Sequence, residues 1–236
     1  MDLAEIDIAV LAGGLGTRLR NVVPETPKIL APVAGRPFLD HLLEWLIRQG
    51  ARRVVLCLGY RAQDVLAYLN TRSFPPLKIR TVVEPEPLGT GGAVALARPL
   101  LASDPVMVIN GDTFIDADLN AFLASHLASR AEVSILSAEV QDASPYGRLE
   151  IGPHDRVLRF QEKDAAASGP AWINGGLYLF DQTILSAIGR LSKGSLEHDI
   201  LERMAPGVIH AFRTHGRFLD IGTPQTLALA PEVLIS

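Results

Sequence analysis

The chain has 236 residues, 48% of them hydrophobic, which is enough apolar material for a sizeable core and excludes a disordered chain. Its formal net charge is −4 and it carries no basic stripe, so we exclude nucleic acid as a partner. There is no signal-peptide pattern and no membrane-spanning window, and the single cysteine, Cys57, lies in an apolar run, so we expect a soluble cytoplasmic protein without a membrane partner.

The first predicted strand, Ile8 to Ala12, leads directly into a glycine-rich turn. Gly13 to Leu19 reads Gly-Gly-Leu-Gly-Thr-Arg-Leu, and Thr26-Pro27-Lys28 follows. Glycines let the backbone approach a ligand closely and point its N–H groups at an anion. With the charges of Arg18 and Lys28, the stretch indicates a polyphosphate-binding site at the carboxyl edge of a parallel sheet. A tight strand-to-helix turn without a ligand is the alternative.

Two other glycine motifs do not fit this turn. A Walker loop requires Gly-Lys-Ser/Thr after a four-residue spacer, and no such sequence is present. A dinucleotide-binding turn requires a third glycine where Leu19 stands, and the second predicted strand is followed by Leu58-Gly59-Tyr60 rather than by a ribose-binding acid. A nicotinamide-dependent dehydrogenase is therefore disfavoured.

Hydrophobic periodicity predicts alternating strands and helices through the first half of the chain. The predicted strands are Ile8–Ala12, Arg53–Leu58, Leu77–Val83 and Val106–Ile109. The predicted helices are Phe38–Ile47, Val65–Leu69, Ala93–Leu101 and Leu119–Leu127. Such alternation is typical of an α/β fold with a doubly wound, mostly parallel central sheet.

From about Glu132 the predicted helices become fewer and strands dominate. The predicted strands are Val133–Val140, Arg148–Ile151, Val157–Gln161, Trp172–Phe180 and Phe218–Ile221, and the helices are Gln182–Ile188, Leu196–Met204 and a last one from Pro224. We expect one domain over residues 1–236, with a nucleotide-binding half at about 1–130 and a smaller, mixed β, substrate-binding half at about 131–236.

Two carboxylates follow predicted strands, each beside a glycine. Asp112 stands in Asn110-Gly111-Asp112, and Asp220 stands in Asp220-Ile221-Gly222-Thr223. Mg²⁺ prefers oxygen ligands and is often held by one or two carboxylates together with substrate phosphates. The pair could share one ion if both side chains point into the same cleft, whereas a helix cap or turn is the alternative for a single Asp.

Three further groups could contact a ligand. Gly89-Thr90-Gly91-Gly92 opens a helix and could face phosphate or a base edge, or simply allow close packing. Gly175-Gly176 interrupts a predicted strand, which often marks the close approach of a ligand. Glu162-Lys163 ends another strand, where a solvated surface pair is the alternative. Ser195 is predicted to cap a helix, since Ser195, His198 and Asp199 on one helix cannot form a catalytic triad.

Together these motifs resemble the signature of the sugar-1-phosphate nucleotidylyltransferases. The likeness covers almost the whole chain in the family's order: Gly13 to Leu19, Pro27-Lys28, Pro32 to Pro37, Gly89 to Gly92, Asn110 to Asp112, Tyr146-Gly147, Glu162-Lys163, Asn174 to Gly176 and Asp220 to Pro224. The segments Glu84 to Ala93, Asn110 to Phe114 and Ile173 to Tyr178 are most similar to the D-glycero-D-manno-heptose 1-phosphate guanylyltransferases. Asp164 departs from the proline that many relatives carry after the Glu-Lys pair.

The resemblance implies a Rossmann-like nucleotide-diphospho-sugar transferase fold and an enzyme that transfers a nucleoside monophosphate from an NTP, with GTP expected, to a sugar 1-phosphate. The product NDP-sugar would serve surface polysaccharide synthesis, and a homodimer is a possible assembly. Mannose-1-phosphate guanylyltransferase and N-acetylmuramate-1-phosphate uridylyltransferase are the alternative activities. A catalytically idle regulatory relative is disfavoured, because the expected metal carboxylates and phosphate cations are present.

The resemblance also implies roles for individual residues. Catalysis would rest on Arg18, Lys28, Asp112 and Lys163, with Mg²⁺ held by Asp112 and Asp220. The nucleotide would contact Leu11, Gly13, Gly14, Gly16, Thr17, Arg18, Glu84, Gly89 and Thr90. The sugar phosphate would contact Tyr146, Gly147, Glu162, Lys163, Asn174 and Gly175.

Overall fold

The structure is a computed structural model that describes residues 1–19, 23, 26–161 and 169–234. The expected site residues Glu162 and Lys163 lie outside these residues. No helix among the residues described is long and apolar enough to span a membrane.

Short strands and helices alternate through the chain. The strands are β1 Asp7–Ala12, β2 Pro32–Val33, β3 Arg36–Pro37, β4 Arg53–Leu58, β5 Lys78–Val83, β6 Val106–Asn110, β7 Thr113–Ile115, β8 Val133–Val140, β9 Arg148–Ile151, β10 Val157–Gln161, β11 Ala171–Phe180, β12 Ile209–Thr214 and β13 Phe218–Asp220. The α-helices are α1 Phe38–Arg48, α2 Ala62–Asn70, α3 Gly89–Ala97, α4 Leu119–Ser129, α5 Gln182–Ile188 and α6 Pro224–Leu234.

The central sheet joins strands from both halves of the chain. From one edge it runs β5-β4-β1-β6, all parallel, then β11, which is antiparallel to β6, then β8 and β12. The hairpin β9-β10 lies beside the first half of β11. The expected α/β fold with parallel first-half strands and a mixed second half is confirmed.

Strand β11 carries an irregularity that matters for the site. Its pairing with β8 shifts register between Asn174 and Leu177, which leaves Gly175 and Gly176 as a bulge. Gly176 adopts a φ of +73°, a left-handed conformation that glycine takes without strain. A Cβ at Gly176 would lie 2.8 Å from Asn110 Nδ2, so the bulge packs against the carboxyl end of β6.

Hydrophobic side chains cover both faces of the sheet, as a doubly wound fold requires. Along β1, Ile8 and Val10 enter one core with helices α1, α2, α4 and α6, whereas Ala9 enters the other with α3 and α5. Successive residues of a strand point to opposite faces, so one short apolar strand serves both cores. Cys57 is fully buried in the second core, and burial raises the pKa of its thiol to about 12. The expectation of a structural thiol is confirmed.

The structure differs from the predicted elements in one expected helix and in several short or irregular strands, among them β2 and β3. The expected helix Leu196–Met204 is instead a π-turn, Leu196–Ile200, followed by a 3₁₀ turn, Leu201–Arg203. Ser195 does cap this segment, since its hydroxyl accepts a hydrogen bond from the His198 amide at 3.1 Å. Strands β7 and β12 were not predicted, because a strand this short (β7) or one mixing charged and apolar residues (β12) gives no clear period.

Candidate active site

The parallel strands bring the glycine turns and the acidic residues to one edge of the sheet. Gly13 follows β1, Glu84 follows β5, and Gly111-Asp112 follows β6. The Gly111 amide donates to the Leu11 carbonyl at 2.8 Å, and a Cβ at Gly111 would lie 2.6 Å from that oxygen. Only glycine permits this approach, which fixes Asp112 next to the end of β1.

One cavity opens beside the first glycine turn, and we name it the glycine-loop cavity. It has a volume of about 270 Å³. Its lining consists of Leu11, Gly13, Gly14, Leu15, Glu84, Pro87, Gly89, Thr90, Ala93, Asn110 and Asp112. A Cβ at Gly13 would lie 2.1 Å from Glu84 Oε1, so the absence of a side chain there is what admits the Glu84 carboxylate.

Glu84 presents a half-buried carboxylate to this cavity. Its Oε2 accepts a hydrogen bond from the Leu88 amide at 2.8 Å, which fixes the side chain. Burial raises the pKa of Glu84, and the Leu88 amide partly opposes that rise. The carboxylate is a fixed hydrogen-bond acceptor in an otherwise largely apolar cavity wall.

The second glycine motif forms the N-terminus of α3 and packs against the loop before the π-turn. Gly89 has a φ of +75°, and a Cβ there would lie 2.5 Å from the Gly194 carbonyl oxygen. The Gly91 amide donates to the same oxygen at 2.8 Å. Close packing between chain segments, one of the two interpretations of this motif, therefore applies to Gly89 and Gly91, while Gly89 and Thr90 also line the glycine-loop cavity.

A second cavity adjoins the first at the β11 bulge, and we name it the bulge cavity. Its volume is also about 270 Å³. Its lining consists of Arg18, Asn110, Asp112, Thr113, Tyr146, Gly147, Phe160, Asn174, Gly175, Gly176, Ser195, Glu197, Phe218 and Asp220. Asn110 and Asp112 line both cavities, so the two lie side by side, and we call them together the cleft.

The bulge cavity is built by long-range contacts of the second half of the chain. The Asn174 amide donates to the Gly147 carbonyl at 2.9 Å, which ties the bulge to the Tyr146-Gly147 turn. The ring of Tyr146 packs edge-on against Phe218 with centroids 5.1 Å apart. Burial raises the pKa of Tyr146, and Asp220 raises it further. The Tyr146 phenol therefore stays a neutral donor at physiological pH.

The two strand-end carboxylates meet at the boundary between the cavities. Strands β7 and β13 pair antiparallel with Thr113 opposite Asp220, and the Ile221 amide donates to the Asp112 carbonyl at 3.0 Å. The ammonium of Lys28 contacts Asp112 Oδ2 and lies 3.4 Å from Asp220 Oδ1. The prediction that both carboxylates point into one cleft is met.

The charges at this boundary depend on one another. Burial raises the pKa of Asp220, the neighbouring Asp112 carboxylate raises it further, and Lys28 acts in the opposite direction. A Cβ at Gly222 would lie 2.7 Å from Asp220 Oδ1 and 3.1 Å from Lys28 Nζ. Two carboxylates held together in a partly buried cleft favour the binding of a cation.

The donor set fits a hard divalent cation that also binds substrate. In the parts of the chain that the structure describes, no group of three or more His, Cys, Asp or Glu side chains could hold a metal. Asp112 and Asp220 would supply two oxygen ligands, which leaves the other coordination positions for phosphate oxygens and water.

Comparisons with known proteins identify the family of this chain. A family model described as nucleotidyl transferase matches residues 8–233. The chain belongs to the nucleotidyl transferase family. This membership confirms the expected enzyme class and the resemblance noted from the sequence motifs.

Relatives of this nucleotidyl transferase extend over nearly its whole length. The D-glycero-alpha-D-manno-heptose 1-phosphate guanylyltransferase of Aneurinibacillus thermoaerophilus is 34% identical over 97% of this chain and 98% of the relative. The mannose-1-phosphate guanylyltransferase of Mycobacterium tuberculosis is also 34% identical, over 94% of this chain but 62% of the relative. The crystal structure of HddC from Yersinia pseudotuberculosis matches with a TM-score of 0.87 and 36% identity, covering 96% of this chain and 98% of that one.

Most of the expected site residues that the structure describes lie in the cleft. Leu11, Gly13, Gly14, Glu84, Gly89 and Thr90 line the glycine-loop cavity, and Tyr146, Gly147, Asn174, Gly175 and Asp220 line the bulge cavity. Arg18 lines the bulge cavity and not the glycine-loop cavity. Gly16 directly precedes the 3₁₀ segment Thr17–Leu19, and neither Gly16 nor Thr17 lines either cavity.

The sequence reasoning did not assign two polar residues that the structure places in the cleft. Asn110 lines both cavities, and its Oδ1 is buried without a hydrogen-bond partner among the residues described. This oxygen is an acceptor available to a ligand in the cleft. Glu197 lines the bulge cavity although it lies on the segment expected to be an ordinary helix. Asn110 could have been found because it directly precedes Gly111-Asp112 at the end of a strand. No local sequence pattern pointed to Glu197.

Proposed function

We propose that this nucleotidyl transferase transfers GMP from GTP to D-glycero-D-manno-heptose 1-phosphate and releases pyrophosphate. The observation that carries the proposal is the Lys28, Asp112 and Asp220 cluster at the boundary between two adjoining cavities. Such a cluster suits a reaction in which a phosphate of one substrate meets a phosphate of another.

The two cavities divide the substrates between them. The glycine-loop cavity holds the nucleoside triphosphate, because the Gly13-Gly14 backbone and the N-terminus of α3 both face it. The bulge cavity holds the sugar 1-phosphate, because its polar wall of Tyr146 and Asn174 can bond to hydroxyl groups. Lys163, outside the described residues, would bind the sugar phosphate, and Glu162 the sugar.

The reaction is an in-line displacement at the α-phosphorus of GTP. A phosphate oxygen of the sugar 1-phosphate forms the new P–O bond, while the bond to the bridging oxygen breaks and its electron pair leaves with pyrophosphate. No protein nucleophile is needed, because the attacking phosphate is already ionised. Catalysis is then positioning plus stabilisation of the charge on the pentavalent phosphorus.

Lys28 lies where this charge develops, at the boundary of the cavities, and its ammonium would bind the α-phosphate. Arg18 adds a second fixed positive charge from the wall of the bulge cavity. Asp112 and Asp220 would hold Mg²⁺, which when bound neutralises phosphate charge. The amides of the Gly13 to Thr17 turn would bind the remaining phosphates of the leaving group.

Glu84 supports a preference for guanine. Guanine presents two adjacent donors, N1–H and N2–H₂, to which a carboxylate can accept side by side. The Leu88 amide donates to Glu84 Oε2 and fixes the side chain against Gly13 in the cavity wall. Each carboxylate oxygen can accept a further hydrogen bond from a base. Crystals of HddC from Yersinia pseudotuberculosis contain GMP-PN, and that chain is 35% identical to this one. Relatives named heptose 1-phosphate guanylyltransferases from two organisms support the heptose substrate.

One matrix of substrates tests the proposal. Each of the four NTPs is mixed with heptose-, mannose-, glucose- or N-acetylmuramate 1-phosphate, and pyrophosphate release is measured with Mg²⁺. We expect the highest rate with GTP and the heptose phosphate, and about 10³-fold or greater loss in Asp112→Asn with an unchanged fold by circular dichroism. Full activity of Asp112→Asn would contradict the metal assignment, and a preference for mannose 1-phosphate or for UTP would favour the alternative activities.

A further inference from the structure

Glu197 is hydrogen-bonded to residues that line both cavities. Its Oε2 accepts from the Thr90 hydroxyl at 2.9 Å and from the Ser195 hydroxyl at 2.8 Å. Its Oε1 accepts from the Tyr178 hydroxyl at 3.1 Å. Thr90 lines the glycine-loop cavity and Ser195 the bulge cavity, so one carboxylate joins the walls of the two substrate cavities.

The chain of hydrogen bonds continues from Tyr178 into the β11 bulge. Asn174 Nδ2 donates to the Tyr178 hydroxyl at 2.7 Å, and Asn174 Oδ1 accepts from the Gly176 amide at 3.0 Å. Tyr178 is fully buried, and burial raises the pKa of its phenol well above the usual value. The phenol therefore remains protonated. It donates to Glu197 Oε1 and at the same time accepts from Asn174 Nδ2, which links the two side chains.

Backbone contacts hold the other end of this chain at α3. The Leu196 amide donates to Thr90 Oγ1 at 2.8 Å, so the Thr90 hydroxyl both accepts from the Glu197 segment and donates to Glu197. The Gly194 amide donates to the Leu88 carbonyl at 2.8 Å. The N-terminus of α3 thus cannot move without moving the Ser195 to Glu197 turn.

Hydrogen bonds to a charged acceptor are stronger than neutral ones, and a linked network polarises each member. Removing the carboxylate leaves three hydroxyl donors without their acceptor, and the fully buried Tyr178 loses the partner that holds its O–H direction. Thr90 on α3 and Asn174 on β11 would then no longer be linked by hydrogen bonds through one carboxylate.

We infer that Glu197 is a positioning residue that sets the nucleotide-facing Thr90 and the sugar-facing Asn174 relative to each other. The inference rests on the proposed function and deepens it. It assigns to the π-turn Leu196–Ile200 a role in aligning the two substrates for in-line attack. A defect in this residue should therefore affect the use of both substrates, whereas a defect in a residue of one cavity affects one.

The test compares Glu197→Ala and Glu197→Gln with Glu202→Ala. Glu202 lies on the same segment, bonds to His198 at 2.9 Å and lines neither of the two cavities. KM and kcat are measured separately for the NTP and the sugar 1-phosphate that give the highest rate in the substrate matrix. Thermal unfolding is recorded for each variant.

We expect Glu197→Ala to raise both KM values about tenfold and lower kcat, because it removes charge-assisted hydrogen bonds. Glu197→Gln, which keeps one acceptor oxygen, should recover part of the loss, and Glu202→Ala should stay within about twofold of the wild type. A lowered melting temperature with unchanged KM values, or a rise in the KM of only one substrate, would overturn the inference.

A direct binding measurement separates this inference from the proposed function. If the wild-type protein turns over no substrate pair, the proposed function fails. Isothermal titration calorimetry with GMP-PNP still measures nucleotide affinity at the cavity that Thr90 lines. Glu197→Ala should weaken that binding about tenfold and Glu202→Ala should not. Equal affinities in all three proteins would overturn the positioning role independently of turnover.

Discussion

At the scale of single residues, the ammonium of Lys28 lies where two carboxylates meet. It contacts Asp112 and lies 3.4 Å from Asp220, and its side chain is only 13% exposed. A divalent cation bound by the same carboxylates must therefore compete with this ammonium. Two unit charges about 4 Å apart interact by about 4 kcal/mol at the effective dielectric of a protein surface, so the competition is strong.

Lys28→Met should make the nucleotide-free protein bind Mn²⁺ at least about tenfold more tightly, a change worth about 1.4 kcal/mol. The same variant should lose most of its transferase activity if Lys28 binds the α-phosphate as proposed. Titration followed by electron paramagnetic resonance measures free Mn²⁺ directly. Asp112→Asn is the matched control and should bind Mn²⁺ more weakly than the wild type. Unchanged Mn²⁺ affinity in Lys28→Met would show that the ammonium does not oppose the ion.

A second residue-scale prediction concerns His210, a buried residue of β12 that contacts α4. Its Nε2 lies 2.8 Å from the Ser125 hydroxyl. Burial lowers the pKa of His210, and the Arg156 charge lowers it further. Since the folded pKa lies below the unfolded value of about 6.5, the unfolded chain binds the proton first as pH falls. Stability from this group is therefore present above about pH 6.5 and is lost as pH falls toward the folded pKa.

Urea unfolding at pH 7.5 and pH 5.5 measures this loss. His210→Gln should reduce the difference in unfolding free energy between the two pH values. His215→Gln is the control, because that ring is exposed and its ion pair with Glu139 contributes little. An identical pH dependence in the wild type and in His210→Gln would contradict the prediction.

At the scale of elements, the start of α3 depends on the loop that precedes the π-turn. Gly89 combines a φ of +75° with a neighbouring carbonyl, Gly194 O, 2.5 Å from the position of a Cβ. Gly35 has a similar φ of +78°, but nothing lies within 4 Å of its Cβ position. Comparing the same substitution at the two glycines therefore separates the free-energy cost of left-handed backbone strain from that of a steric clash.

Gly35→Ala should destabilise the protein by about 1 kcal/mol through left-handed strain alone. Gly89→Ala should cost about 2 kcal/mol more, because the loop must shift, and should also weaken nucleotide binding. Chemical denaturation and titration with a GTP analogue measure both effects. Equal destabilisation in the two variants would show that the packing of Gly89 against Gly194 contributes nothing.

At the scale of the whole molecule, the sheet joins the two halves of the chain. Strand β11 of the second half lies between β6 of the first half and β8, and each neighbour is hydrogen-bonded to it. Both cores contain residues from both halves. The expected single domain remains a prediction, and we expect residues 1–130 alone not to fold.

The two tryptophans allow a direct measurement of this cooperativity. Trp45 packs in the first core with Phe114, and Trp172 lies on β11 in the second half. Trp45→Phe and Trp172→Phe each leave one fluorescent reporter. Within each variant, the urea midpoint from the remaining tryptophan should coincide with that from circular dichroism. Midpoints that differ between the two probes would show that the halves unfold separately.

The sequence by itself determined the elements whose signals are local. The glycines after an apolar strand, and Asp112 immediately after β6, were expected to meet at one edge of the sheet, because the carboxyl ends of parallel strands lie together there. The likeness of Gly13 to Leu19 and of Asn110 to Asp112 to a family signature added the chemistry. These features are fixed by backbone conformation and strand direction, which short stretches of sequence specify.

Only the tertiary structure decided how the two sides of the cleft are joined. Arg18 lines the bulge cavity although it belongs to the first glycine turn, and Glu197 reaches Thr90 across 107 residues of chain. The pairing of β7 with β13 that sets Asp112 beside Asp220 is equally remote in sequence. Such contacts depend on the register and packing of distant strands, and no local period or propensity encodes them.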